Sequence, residues 1–408
     1  MSQNKAMAPS IPTNAKAAGP DASRSTSASR LLTLVHHHRQ LSRASLTRLT
    51  GLNRSTISVL ISHLTAQQLV VESAAVGGSQ VGRPSPQVSP HPRVVALAVN
   101  PEIDAVTIGL VGLGGRVIKK IRYSTERIPT AAEAVNIAAA VIDGMRGELE
   151  ANYRVVGAGI AVPGLVTSAD GTVRYAPHLG WDSEPLADMF AGLTGYPAFV
   201  ANDASLAAEA EMVFGAGTGI KNLVYLNGGA SGIGGGIISE GRLLAGASGY
   251  AGELGHTFVR SDGLPCHCGS RGCLETEVRQ APLVELLKLA TDDPSAIGPA
   301  LCASTDPAVA AEVARQIGFL AIALRNVVNI FNPGAIVLDG FLAALHAAAP
   351  DALESAVRAQ SMREPASQVL ISPASLGADL MMVGAAELAF AGFLADPVGY
   401  FGEQPAIS

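Results

Sequence analysis

Four side chains that could bind a metal ion lie close together between residues 256 and 273. His256, Cys266, Cys268 and Cys273 are ligand types that zinc prefers, and glycines at 269 and 272 let the chain fold around an ion. Three thiolates and one imidazole complete a tetrahedral shell with no open position, so this pattern predicts a structural zinc ion rather than a catalytic one. The alternative is a group of reduced, buried cysteines that hold no metal.

The remaining cysteine usage excludes a disulfide framework. The chain has four cysteines, and three of them belong to this one segment. Cys302 is isolated, and we expect it in the core. His267 lies between two of the metal ligands, and we expect it to face outward.

A repeated pattern of strands indicates the elements that must position the metal ligands. Three strands are predicted at residues 94–99, 105–111 and 117–121, and again at 223–226, 232–238 and 242–244. Helices and strands then alternate in both repeats, which predicts a duplicated α/β body with a cleft between two lobes. We place this body at residues 94–395 and its lobes at about 94–200 and 201–395. An apolar helix at 308–330 is expected in the core.

Three short helices are predicted near the N-terminus. Ser42 and Gly51 mark the start and the end of the second helix, and Asn53 can cap a third whose apolar residues recur at helical spacing. A strand, a glycine turn and a return strand follow. This order is typical of a winged helix-turn-helix domain, which we place at residues 28–83.

The net charge of −6 conceals a basic N-terminal segment. Residues 1–92 contain nine lysines and arginines and two acidic residues, a net charge of +7, so the remainder carries −13. The outer face of the third helix is small or basic, which favours binding to double-stranded DNA over the alternative of a helical dimerisation module. The candidate DNA-binding residues are Arg43, Arg54, Ser55, Thr56, Ser58, His63 and Arg83.

The other segments complete the organisation of the chain. We expect a disordered tail at residues 1–27, a proline-rich linker at 84–93 and a second tail at 396–408. No run of about 18 apolar residues occurs, which argues against a membrane span. The N-terminus lacks a signal-peptide pattern, so we expect a cytoplasmic protein.

The metal-ligand segment resembles the signature of the ROK family of repressors and sugar kinases. The similarity runs from Gly252-Glu-Leu-Gly-His through Cys-His-Cys-Gly-Ser-Arg-Gly-Cys-Leu-Glu275, with further matches at 200–204, 331–340 and 383–389, and it extends over about residues 94–395. It implies a two-lobed actin/hexokinase-like (ribonuclease H-like) α/β body, zinc bound through the histidine and three cysteines, and a sugar in the cleft. An N-terminal winged helix-turn-helix domain, expected to be all-α, is typical of the family's repressor branch.

Within this resemblance, seven residues are candidates for binding the sugar. Glu253 and Glu275 can accept hydrogen bonds from neighbouring hydroxyls, and the metal site between them would fix both. One ring nitrogen of His256 could bind the metal while the other donates to a hydroxyl. The resemblance implies that Asp203 occupies the general-base position of the family's kinases, and that His178 stands where the family usually has asparagine. The candidates are Gly164, His178, Asn202, Asp203, Glu253, His256 and Glu275.

The phosphate-binding residues of a kinase are only partly present. The family's kinases carry Asp-x-Gly-Gly-Thr after the first strand, whereas this chain has Asn100-Pro101-Glu-Ile-Asp. Both glycines are missing, and the proline removes an amide donor. The second glycine-rich loop, at 228–236, is retained. One loop without its partner argues against ATP binding and for a protein that is not an enzyme, in which Asp203 is a vestigial general base.

We therefore predict a repressor of genes for carbohydrate uptake or metabolism that is controlled by a sugar or sugar derivative. Closure of the lobes on the ligand would move the DNA-binding heads of a homodimer or homotetramer, so that two of them no longer reach both half-sites of an operator together. Two alternatives stay open. One is an ATP-dependent, glucokinase-like sugar kinase fused to a DNA-binding domain, and the other is a regulator controlled by a protein partner.

Overall fold

In its described residues, the N-terminal head combines three helices with a small antiparallel sheet. The computed structural model describes residues 20–74, 85–290 and 294–401. The head contains α1 (Pro20–His38), β1 (Leu41–Ser42), α2 (Arg43–Thr50), α3 (Arg54–Ala66), β2 (Val70–Ser73) and β3 (Gln87–Pro90). Its sheet has the order β1-β3-β2, so the prediction of an all-α head is wrong.

Local sequence signals set the helix boundaries in the head. The Ser42 side chain accepts a hydrogen bond from the backbone of Ser45, and Gly51 adopts φ 72°, the left-handed conformation that ends α2. The Asn53 side chain caps α3 by accepting from the backbone of Thr56. Both predicted caps are therefore confirmed, and so is the close succession of α2 and α3.

Two predicted segments differ from the structure. Helix α1 begins at Pro20, inside the predicted tail at 1–27, whose residues 1–19 lie outside the described residues. Strand β3 occupies part of the predicted linker at 84–93, because its backbone pairs with both β1 and β2. The predicted wing turn, including Arg83, lies outside the described residues.

The first lobe is built on a five-stranded sheet. Its elements are β4 (Val94–Pro101), β5 (Ala105–Gly112), β6 (Arg116–Ser124), α4 (Ala131–Gly144), α5 (Arg146–Asn152), β7 (Arg154–Val162), β8 (Leu165–Val166), β9 (Val173–Ala176), β10 (Trp181–Glu184), α6 (Leu186–Thr194) and β11 (Ala198–Asn202). The main sheet has the order β11-β7-β4-β5-β6, in which β4, β7 and β11 are parallel and β5 and β6 antiparallel. Strands β10-β9-β8 form a small second sheet.

The second lobe repeats this arrangement. Its elements are α7 (Asp203–Phe214), β12 (Leu223–Gly229), β13 (Gly232–Ser239), β14 (Arg242–Leu243), α8 (Leu274–Glu277), α9 (Gln280–Leu287), α10 (Pro294–Ala303), α11 (Pro307–Phe331), β15 (Ala335–Asp339), α12 (Gly340–Ala348), α13 (Pro350–Gln360), α14 (Arg363–Gln368), β16 (Leu370–Pro373) and α15 (Leu380–Ala395). The sheet order β14-β13-β12-β15-β16 places the third, second, first, fourth and fifth strands side by side, as in the first lobe. The predicted duplication is therefore confirmed.

The last helix crosses back to the first lobe. Helix α15 packs on β4 and β7, and its Phe390 is fully buried in one apolar core with Leu31 of α1. The second lobe therefore does not run unbroken over 201–395, and the head shares a core with the first lobe. Residues beyond α15 are also anchored, since the Tyr400 hydroxyl donates to the Val156 carbonyl at 2.7 Å. The tail predicted at 396–408 thus packs on the body up to residue 401.

Within residues 20–74, 85–290 and 294–401, two apolar stretches are long enough to cross a membrane by length and composition alone. They are α11 and residues Gly377–Ala395, which include α15. Leu320, Leu324 and Val327 of α11 are buried, which confirms the prediction that this helix belongs to the core. In the second stretch, 61% of the most apolar window is buried inside the protein.

Candidate functional site

A cavity of about 340 Å³ lies between the two lobes. Its walls come from the ends of β7 and β11, from the hairpin between β12 and β13, and from the cysteine-containing segment. The structure brings all seven predicted sugar-binding residues to this cavity: Gly164, His178, Asn202, Asp203, Glu253, His256 and Glu275.

Asn202 fixes the edge of the first-lobe sheet at the cavity. Strands β7 and β11 are parallel, and their register pairs Asn202 with Val162, so both strands end at the same edge. The Asn202 amide donates to the Gly164 carbonyl at 3.1 Å, and its side-chain oxygen accepts from the backbone of Ser205 at 3.0 Å. These contacts tie the two strand ends to the start of α7. Asn202 is therefore largely a positioning residue for its neighbour.

Asp203 places a carboxyl group in the cavity wall at the first turn of α7. Its Oδ1 accepts from the backbone of Ala204 at 2.8 Å. Burial raises the pKa of Asp203 from its ordinary 3.8 to about 6, and the nearby Glu253 carboxylate acts in the same direction. The group can therefore accept a hydrogen bond or a proton from a hydroxyl close to neutral pH.

Glu253 and His256 share one short turn, as their spacing predicts. Residues Leu254–His256 form a 3-10 turn against β13, where a Cβ on Gly255 would lie 2.0 Å from the Ile233 carbonyl oxygen. His256 Nδ1 lies 3.5 Å from the Cys266 sulfur, whereas Nε2 lies 4.0 Å from the Glu253 carboxylate. One ring nitrogen thus faces the cysteines, and the other faces the Glu253 side of the turn. Burial raises the pKa of Glu253.

The four predicted metal ligands form a compact cluster. The ligand atoms of His256, Cys266, Cys268 and Cys273 all lie within 4.8 Å of one another. The Cys268 and Cys273 sulfurs are 3.8 Å apart, and the Cys266 sulfur is 3.5 Å from His256 Nδ1. Around a tetrahedral zinc ion, S–S and S–N edges are about 3.8 Å and about 3.6 Å. The donor set and its spacing therefore fit a zinc ion.

His267 lines the cavity, and the expectation that it faces outward is only half right. Its side chain is 42% exposed, yet Nδ1 lies 3.2 Å from the Glu275 carboxylate. Its ring lies edge-on to His178 and to His256, with centroids 6.0 and 5.1 Å away. Because His267 lies between the predicted metal ligands Cys266 and Cys268, its position in the sequence already indicates that it is held near the cleft.

The predicted position of Cys302 in the core is wrong. This cysteine is exposed on α10, although we expected it in the core. The buried side of that helix is formed by Ile297 and Leu301 instead.

Helix α3 presents most of the predicted DNA-binding side chains on the head. Arg54, Ser55 and His63 are exposed, and Thr56 is half-buried, with its backbone N–H bonded to the Asn53 cap. Val59 is 65% exposed on this helix and was missed from the sequence. An exposed valine on a groove-reading helix can contact a thymine methyl group.

Arg43 is not a free cation in this structure. Its guanidinium forms a bidentate pair with the Glu72 carboxylate, in which Nη2 lies 2.6 Å from Oε2, and it also donates to the Ser58 hydroxyl at 3.1 Å. The pair lies at the surface, where its charge is largely compensated. Arg43 and Ser58 are therefore placed together, but bound to each other rather than both free to meet a phosphate.

Comparisons with known proteins bear on both the body and the head. The sequence profile of the ROK family matches residues 103–391. The xylose repressor of Bacillus subtilis (strain 168) is 27% identical over 370 residues, which is 89% of this chain and 94% of that protein.

Two solved structures, one of a transcriptional regulator and one of a sugar kinase, are similar to this chain. A ROK family transcriptional regulator, a homologue of the E. coli MLC protein, superposes with a TM-score of 0.74 and 26% identity, over 91% of this chain and 97% of that one. A ROK family glucokinase from Streptomyces griseus, in complex with glucose and AMPPNP, gives a TM-score of 0.61 and 28% identity, over 73% of this chain and 100% of that one. The predicted actin/hexokinase-like fold of the body is confirmed.

Proposed function

This chain belongs to the ROK family, and we propose that it is a transcriptional repressor whose DNA binding is controlled by a sugar or sugar derivative. The strongest support is the length over which this chain resembles a solved transcriptional regulator. The regulator structure covers 91% of this chain, head included, whereas the glucokinase covers 73%. The head is the additional part, and its exposed α3 side chains Arg54, Ser55 and His63 suit phosphates and base edges.

The chemistry of the interlobe cavity supports a polyhydroxyl ligand. Asp203, Glu253 and Glu275 supply carboxylate oxygens that accept hydrogen bonds from vicinal hydroxyls, and His256 Nε2 can donate one. Pro163, Leu165 and other apolar neighbours supply the remainder of the wall. An array that mixes close carboxylates with apolar surface fits a neutral sugar.

We assign a structural zinc ion to the cysteine cluster. It would be held by His256 Nδ1 and the three cysteine sulfurs, and a bound ion supplies rigidity, since four protein ligands leave no open position. The turn that follows Glu253 ends at the cluster residue His256, and the helix that carries Glu275 begins directly after the cluster residue Cys273. The metal thus serves to orient sugar-binding carboxylates.

The regulatory step is closure of the two lobes on the ligand. Ligand contacts to His178 in the first lobe and to Asp203 and Glu253 in the second lobe would favour a closed state. The head shares its core with the first lobe, so closure changes the placement of the heads in a cytoplasmic homodimer or homotetramer and thereby their fit to an operator.

A sugar kinase is the second candidate, because the glycine-rich hairpin of β12 and β13 and the carboxyl of Asp203 are both present. The turn between β4 and β5 argues against a kinase. Glu102 and Asp104 lie there, paired with Arg122 at 3.4 and 2.7 Å, and Pro101 lacks an amide donor. Carboxylates repel phosphates. Sugar-dependent release of ADP from ATP and magnesium at ordinary turnover would establish the kinase instead.

The repressor proposal is tested on the purified full chain. Duplexes that bind are selected from a random pool, and their affinity is measured by fluorescence anisotropy with and without D-xylose, D-glucose and a wider sugar panel. We expect a selected sequence whose affinity changes with at least one sugar. Failure to select any duplex contradicts DNA binding, whereas a selected duplex that ignores every sugar favours control by a protein partner.

A further inference from the structure

Helix α7 runs from the cavity to the head. It begins at Asp203 in the cavity wall and ends at Phe214, and its twelve residues span about 18 Å. The Phe214 ring lies edge-on to the imidazole of His36 in α1, with centroids 5.3 Å apart. The guanidinium carbon of Arg39, one residue after α1 ends, lies 5.3 Å from the centre of the same ring.

The helix is enclosed along most of its length. Its buried residues are Ala204, Ser205, Leu206, Ala207, Ala208, Ala210 and Glu211. Helix α15 approaches so closely that a Cβ on Gly384 would lie 2.6 Å from the Leu206 carbonyl oxygen. The buried Glu211 carboxylate accepts from the backbone of Ala216 at 2.7 Å and of Ser375 at 2.9 Å. A helix packed in this way moves as a rigid unit.

The head end of the contact is equally well defined. The Gly114 backbone N–H donates to His36 Nδ1 at 2.9 Å, so the imidazole proton is on Nε2, which donates to Glu387 at 2.9 Å. Arg39 Nε donates to the Gly114 carbonyl at 3.0 Å. These bonds hold α1 in one orientation directly over Phe214.

Other hydrogen bonds between the head and the body come from residues that do not themselves line the cavity, although β7, which begins at Arg154, ends next to Pro163 in the cavity wall. Ser29 donates to the Leu394 carbonyl at 2.6 Å, and Arg154 donates to the Gln67 carbonyl at 2.8 Å. Among the described residues, those that line the cavity include neither Leu394 nor Arg154. Helix α7, in contrast, has its first residue in the cavity wall and its last residue against α1.

We propose that α7 transmits the ligand state of the cavity to the head, with Phe214 as the positioning residue on which α1 rests. The inference rests on the proposed function. A ligand hydrogen-bonded at Asp203 shifts the start of the helix, and the rigid unit carries that shift to Phe214. Because His36 and Arg39 contact the Phe214 ring, α1 follows this shift, and the orientation of the helix-turn-helix relative to the body changes.

The test replaces Phe214 with leucine, which keeps apolar bulk but removes the aromatic contacts to His36 and Arg39. The matched control is Phe319→Leu in α11. Phe319 is also a partly buried phenylalanine under arginines, with Arg260 and Arg315 at 5.7 and 5.6 Å from its ring centre. Zinc content and thermal unfolding check that both variants fold.

Operator affinity is measured with and without the sugar that acts on the wild type, D-xylose or D-glucose being tried first, and sugar affinity with and without operator. These two ratios must be equal, because coupling between sites is reciprocal. In F214L we expect each separate affinity to stay close to wild type, while the coupling ratio, ordinarily about 5- to 150-fold, falls to within about twofold of one. F319L should keep the wild-type ratio.

Two results overturn the inference alone: a wild-type ratio in F214L, or an equal loss of the ratio in F319L. A wild-type protein that binds no selected duplex, or that responds to no sugar, instead overturns the proposed function and this inference with it. The two failures are therefore distinguished by the wild-type measurements.

Discussion

The Nε2 atom of His36 lies 2.9 Å from Oε2 of Glu387, and this hydrogen bond joins α1 of the head to α15 of the body. The His36 side chain is fully buried and that of Glu387 is 9% exposed. Substitution of one partner of such a buried pair destabilises the fold, because the remaining partner loses its hydrogen bond and cannot replace it with one to water. The bond therefore bears directly on how firmly the head is attached.

We predict that Glu387→Ala lowers the free energy of unfolding by about 1–3 kcal/mol, since it leaves the buried His36 N–H without its acceptor. Glu387→Gln should lower the free energy of unfolding much less, because the glutamine amide oxygen can still accept the hydrogen bond from His36 Nε2. Urea unfolding of the two variants measures the difference, and limited proteolysis within α1 reports on head attachment. Equal losses of stability in both variants would show that the hydrogen bond between His36 and Glu387 does not account for the effect.

Loss of one thiolate from the metal cluster should impair both metal and sugar binding. We predict that Cys268→Ser lowers the zinc content of the purified protein and weakens sugar affinity, because the turn with Glu253 and the start of α8 with Glu275 lose their common anchor. Zinc is measured by atomic emission and sugar affinity by calorimetry.

The control for this prediction is Cys302→Ser. Cys302 is a free, exposed cysteine on α10, outside the cluster, so its replacement should leave zinc and sugar affinity unchanged. A Cys268→Ser protein that lacks zinc but binds the sugar normally would refute the role of the metal in orienting the carboxylates.

The titration of Asp203 predicts a specific pH dependence of stability. Burial raises its pKa in the folded chain from 3.8 to about 6, so between pH 4 and 6 the folded state binds this proton more tightly than the unfolded state. The contribution of Asp203 to the free energy of unfolding therefore falls as pH rises through this window, by at most about 3 kcal/mol in total, and little of it remains once the pH exceeds the folded pKa of about 6.

Asp203→Asn removes this titration. We predict that the stability of the variant relative to wild type increases from pH 4 to pH 6 and then levels off, as measured by urea unfolding at each pH. Parallel stability curves for the two proteins across this range would contradict the assigned cause, since no other group differs between them.

Local patterns made the positions of caps and metal ligands predictable. Ser42, Gly51 and Asn53 act on backbone groups within four residues, so their sequence context contains the information that places α2 and α3. The spacing from Cys266 to Cys273 likewise closes a cluster within one short segment. The repeated strand pattern was readable because both lobes use the same order of elements.

Contacts between distant segments were not predictable in this way. Strand β3 pairs with β1 and β2 across intervening chain, and hydropathy does not encode that pairing, so the prolines at these positions predict a linker instead. Arg43 meets Glu72, 29 residues away, and only the fold shows that its charge is compensated. Apart from Glu387, helix α15 is apolar around its whole circumference, which indicates burial but not the lobe in which it is buried.

The contrast between two arginines of the head yields a prediction about DNA binding. Arg54 is exposed at the first turn of α3, whereas Arg43 is paired with Glu72. Arg54→Ala should weaken binding to the selected duplex and reduce the slope of log affinity against log salt by about 1, the value for one lost phosphate contact. Arg358→Ala, an exposed arginine on α13, is the control and should leave both quantities unchanged. Anisotropy titrations at several salt concentrations measure the slopes, and an Arg54→Ala slope equal to that of wild type would remove α3 from the DNA interface.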